Sequence, residues 1–133
     1  MNTHIAKWGP LFVLLNSIGI VLFALGGVVL PLQFWTFLNI DPVNLELARV
    51  MAWYLLILGI GGLLIWRDPS RHPVVVLLIG LEKLAPAVLF PFLTLQHDAH
   101  WLVLGTGVFD GVMAVLFICY SLWIKNHQSM QYA

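Results

Sequence analysis

Four ionisable residues, Arg49, Glu82, Lys83 and Asp110, stand inside stretches that are otherwise apolar. A charge within a membrane-spanning segment is costly, and its default reading is functional: an ion path, a ligand contact or a buried pair. Two acids and two bases balance, which makes buried charge tolerable. Pro86 follows Glu82 by four residues. It has no N–H to offer the Glu82 carbonyl, so the helix is weakened beside the acid and a carbonyl is left free. Pro91 does the same for Ala87. A carboxylate next to bent, partly unpaired backbone is how many membrane sites for cations or polar groups are built. Glu82, Asp110, Lys83, Arg49 and Pro86 are therefore the candidate ligand-binding residues.

Each has a plainer reading. Asp110 lies in Gly105-Thr106-Gly107-Val108-Phe109-Asp110-Gly111. Gly107 and Gly111 form a small-xxx-small edge, extended by Ala114, that lets another helix approach closely. Asp110 could serve there as a structural salt bridge to Arg49 or to Lys83. Glu82 and Lys83 are adjacent, point about 100° apart and cannot share a face. Arg49 has Glu46 three residues before it and Trp53 four after it, so it also reads as an anchor at the membrane edge. Asn16 and Ser17 are expected to hydrogen-bond to a neighbouring helix. His97-Asp98-Ala99-His100 carries part of a metal-binding set, which Asp41 or Glu46 would have to complete. It reads as a polar loop whose Asp98 caps the next helix, and no metal is assigned. The single cysteine, Cys119, reads as a small buried hydrophobe. No nucleotide loop, zincin motif or serine-nucleophile elbow is present. The sequence names no catalytic residue and no cofactor.

The elements that position these residues follow from length and hydropathy. Of 133 residues 61% are hydrophobic and 9% charged, where soluble domains carry about 25% charged. The formal net charge is zero, which argues against a nucleic-acid partner. Four segments reach the ~20 apolar residues that a membrane helix needs: about Pro10 to Leu30, Pro42 to Trp66, Pro73 to Leu95 and Trp101 to Trp123. Proline opens the first three, and Asp41 precedes the second as a cap. The expected fold is one all-α domain over residues 1–133, a four-transmembrane-helix bundle. Pro31 to Ile40 is too short to span and is expected along the interface. The first apolar run is longer than a signal-peptide core and lacks a small-x-small cleavage site, so it reads as a retained helix.

Four spans put both termini on one side, with Lys7, Arg67, Arg71 and Lys125. The other side holds Asp41, Glu46, His97, Asp98 and His100. The positive-inside rule then places both termini in the cytoplasm of a plasma (bacterial inner) membrane. Trp8, Trp35, Trp66, Trp101 and Trp123 fall near the expected membrane edges. Counting a rise of about 1.5 Å per residue, Glu82 and Asp110 each lie about 13 Å inside their spans from opposite sides, near the midplane. Arg49 lies about 5 Å below the outer edge by the same rise, within side-chain reach of that layer.

Arg49, the Gly59-Ile60-Gly61-Gly62 run, the Asp68-Pro69 turn and Glu82-Lys83 together resemble the small DoxX-like bacterial four-helix membrane proteins, over residues 45 to 120. That group is mostly uncharacterised, with some members linked to quinone-coupled redox or to membrane complexes. The resemblance carries no functional residue across. A second likeness, to sterol-isomerase and sigma-2-receptor type bundles, rests only on acids and aromatics in a membrane cavity. The expected function is a mid-membrane polar site for a small amphipathic molecule or ion, or an accessory role in a membrane complex or homo-oligomer. The rivals are an enzyme on a lipid-soluble substrate, with Glu82 or Asp110 as acid–base group, and a purely structural subunit.

Overall fold

The computed structural model describes residues 3–40, 44–97 and 99–131. Among them the chain forms α1 (Thr3–Val29), α2 (Pro31–Phe37), α3 (Leu45–Ile65), a 3-10 turn (Pro69–Arg71), α4 (Pro73–Glu82), α5 (Leu84–His97) and α6 (Trp101–Gln131), with no strand. Four segments are long and apolar enough to cross a membrane: Trp8–Val29, Leu45–Ile65, Pro73–Gln96 and Trp101–His127. The outer faces carry large apolar side chains such as Leu22, Val88 and Val115, and Leu64 is 80% exposed. Apolar surface this continuous needs lipid to cover it, so this is the architecture of an integral membrane protein.

The third span is two helices in line. α4 ends at Glu82, Lys83 forms a turn, and α5 starts at Leu84. Pro86 explains the break. It falls in the first turn of α5, where a missing N–H costs nothing. A continuous helix would instead lose the bond to the Glu82 carbonyl.

The bundle is two tight helix pairs. α1 packs along α3, and α6 packs along α4 and α5. Glycines set the close approaches. A Cβ at Gly59 would lie 3.2 Å from the Val21 backbone nitrogen, and one at Gly107 would lie 2.7 Å from Pro91 Cδ and 3.0 Å from the Pro86 carbonyl oxygen. Gly111 meets Ala87 Cβ in ordinary contact at 3.5 Å. The Gly107–Gly111 edge thus seats α5, as expected for a small-xxx-small pattern in lipid. Side chains join the pairs in two apolar clusters. One, toward the end where α1 starts and α6 finishes, is built from Val13, Ile20, Val76, Ile79, Met113, Phe117 and Ile124. The other, at the far end, is built from Leu38, Ala99 and Val103, flanked by Phe23, Phe34, Trp35 and Phe90.

Several local expectations change. Pro10 sits inside α1, which begins earlier, at Thr3. Asp41 and Pro42 lie outside the described residues; α3 starts after Asn44, whose side chain accepts from the Leu47 N–H at 2.9 Å. Asp98 also lies outside the described residues. The His100 ring takes the capping role at α6, accepting from the Leu102 N–H at 3.2 Å. The Pro31–Ile40 segment, as expected, does not span; it holds the short helix α2, which folds against the bundle. Pro31 is buried, and Phe34 meets Phe23 edge-on at 4.9 Å between centroids. Cys119 is exposed, because it falls on the outward face of α6.

Candidate functional site

Between the two apolar clusters lies a layer of charge. The Lys83 ammonium donates to Asp110 Oδ1 at 2.6 Å, with Lys83 4% and Asp110 7% exposed. Both positions are dictated locally. Lys83 continues the buried face of Val76 and Ile79 by one turn, and Asp110 continues that of Met113 and Phe117. The glycine edge then draws α5 onto α6 so that the long lysine side chain reaches the carboxylate. Of the two partners open to Asp110, the structure assigns Lys83.

Arg49 does not join the layer. Its guanidinium donates to both oxygens of Glu46, at 3.2 and 3.3 Å, at the start of α3. The pair is partly exposed, with Arg49 39% and Glu46 76% accessible at the side chain. The local partner three residues away outcompetes a reach across the bundle.

Glu82 is left over. It is half-buried, within electrostatic reach of both Lys83 and Asp110. Its Oε2 is buried with no hydrogen-bond partner. Adjacency to Lys83 explains this. The two side chains diverge around the helix, and Lys83 is committed to Asp110. The layer therefore holds two carboxylates against one ammonium, with one carboxylate oxygen unsatisfied. The Glu82 carbonyl adds an acceptor, since Pro86 offers it no N–H. An acceptor-rich layer inside lipid suits a cation or a hydrogen-bond donor.

The remaining candidates separate. The Ser17 hydroxyl donates to the Val13 carbonyl of its own helix at 2.7 Å, not to a neighbour. Asn16 Nδ2 is buried and has no partner. Both outcomes depart from the expected helix-to-helix bonds; Ser17 faces Gly62, which has no side chain to bond it. Ser121 does bridge helices, donating to the Pro73 carbonyl at 2.7 Å. Among the described residues no three His, Cys, Asp or Glu side chains gather as a metal site. No protein-family model, curated protein or solved structure matches the chain.

Proposed function

We propose that the chain is a membrane binding protein whose Glu82–Lys83–Asp110 layer takes up a small cation or the donor-bearing head of an amphipathic molecule. The single observation that carries this is the buried, unpartnered Glu82 Oε2 beside an ion pair that is already complete. Leaving such an acceptor unmet costs about 1–3 kcal/mol, and more for a charged group. Lipid supplies no water to meet it. An occupant that brings one positive charge or one N–H or O–H removes that cost. Lys83 and Asp110 hold the helices in place around it. Pro86 keeps the chain open at the Glu82 carbonyl.

The proposal includes an orientation. Arg67, Arg71 and Lys125 are exposed at the end of the bundle that holds the termini, and Glu46 is exposed at the other. This asymmetry supports cytoplasmic termini in a plasma membrane. The closed Lys83–Asp110 pair by itself favours a second reading, a structural subunit in which the charges serve only each other.

Melting of the detergent-solubilised protein with added Na+, K+ or dodecylammonium separates the two. At 100 times Kd an occupant adds about 2.7 kcal/mol of stability. At least one probe should raise the midpoint saturably in the native chain, and Glu82→Gln should abolish the response. If native and Glu82→Gln proteins respond alike to all three probes, the binding proposal fails and the structural reading stands.

A further inference from the structure

α1 packs along α3, and α6 packs along α4 and α5, so few direct contacts close the seam between α1 and α6. A groove of about 660 Å³ runs down this seam, a volume that falls among pockets for drug-sized molecules, about 300–1,000 Å³. Met113 and Trp123 both line it. Between them the α6 backbone rises about 15 Å, close to half of the ~30 Å hydrocarbon core. The groove is therefore one leaflet deep. Trp8 and Trp123 stand toward the end of the bundle that holds the termini.

Its wall is distinguished by rings. Trp8 and Phe12 line it from α1, and Phe117, Tyr120 and Trp123 line it from α6. Spacings of four and three residues keep each set on one helix face. Gly9 sets the floor. A Cβ there would overlap the Tyr120 ring, so glycine lets that ring lie against the α1 backbone. The Tyr120 and Trp123 rings lie nearly parallel, 20° apart, with centroids 6.1 Å from each other. Trp8 and Phe12 are each 48% exposed, which leaves ring surface for an occupant to cover.

The bilayer decides what such a wall can retain. Lipid tails are as apolar as the wall, so apolar burial in the groove gains nothing over the surrounding leaflet. An acyl chain would find no new kind of contact there and would lose rotational freedom on being held. Aromatic faces are what the tails cannot offer. Ring pairs are stabilising beyond the area they bury, and a rigid ring system has no torsional freedom to lose. We propose that this groove binds a flat, rigid aromatic hydrophobe drawn from the leaflet, held between the α1 rings of Trp8 and Phe12 and the α6 rings of Tyr120 and Trp123. The site is separate from Glu82 and does not rest on the role proposed for it.

Cys119 makes the test direct. It is the chain's single cysteine, it is exposed, and it lines the groove. The protein in lipid vesicles is labelled with a membrane-permeant maleimide in the presence of anthracene or of tetradecane, which have equal carbon counts, at matched mole fractions in the membrane. Anthracene should protect Cys119 saturably, at about tenfold lower mole fraction than the alkane, the worth of one or two aromatic pairs. The double variant Trp8→Leu/Phe12→Leu keeps the wall apolar but removes the α1 rings, and should erase most of that difference. Glu82→Gln should leave it intact. Equal protection by anthracene and tetradecane in the native protein overturns the proposal, as does a preference that survives Trp8→Leu/Phe12→Leu in full. The native comparison needs no variant, so the test decides even if the double variant fails to fold.

Discussion

Replacing Lys83 by methionine keeps the side chain's length and apolar stem but removes the charge that Asp110 answers. At 2.6 Å and an effective dielectric near 20, the attraction forfeited is about 6 kcal/mol. Desolvation of the ammonium, which methionine no longer carries, returns part of this. The remaining carboxylate, 7% exposed, is left buried without its partner. The expected destabilisation is therefore about 3–4 kcal/mol, within the range for breaking a buried pair from one side. Asp110→Leu alone strands the ammonium and should cost a similar amount. The double variant Lys83→Met/Asp110→Leu removes both charges and should recover most of the loss, because a buried pair and a packed apolar pair differ little. Reversible unfolding in mixed micelles, read by far-ultraviolet circular dichroism, gives the three free energies and their coupling. Single losses under about 1 kcal/mol, or a double variant worse than either single, would refute the assignment of this pair as buried and mutually dependent.

Two further outcomes follow from the helix seam and the break. Gly107→Ala places a methyl 2.7 Å from Pro91 Cδ and 3.0 Å from a backbone oxygen, and should cost about 1–3 kcal/mol. Gly105→Ala, with nothing within 4 Å, should be neutral or stabilising by up to about 1 kcal/mol in the same unfolding measurement. Pro86→Ala restores an N–H for the Glu82 carbonyl, so amide exchange from Lys83 to Ala87 should slow. Unchanged exchange would mean that the hold of Asp110 on Lys83, and not the proline, makes the break.

The spans were legible because lipid imposes a length and a composition that little else satisfies. The break was legible too, since Pro86 removes one identifiable bond. Depth was readable from residue counting, which is why Glu82 and Asp110 could be placed at one level. Azimuth was not, and that is what decides pairing. Counting left Arg49 and Lys83 equally able to meet Asp110. The glycine edge of α6 and the buried face shared with Val76 and Ile79 gave the pair to Lys83. The cap at Asn44 was hidden by the more familiar Asp-Pro upstream of it. The groove was hidden for a different reason. Trp8 and Trp123 read in sequence only as tryptophans near the membrane edges. Only the looser packing of α1 against α6 makes them the wall of a cavity.

The claim at the centre is that Glu82 holds an occupant in the native membrane. A native mass spectrum of the protein released from nanodiscs of its own lipids measures this most directly. The native chain should carry a small cationic or donor-bearing species that Glu82→Gln lacks. Native and Glu82→Gln chains released bare, or with identical adducts, would contradict the account.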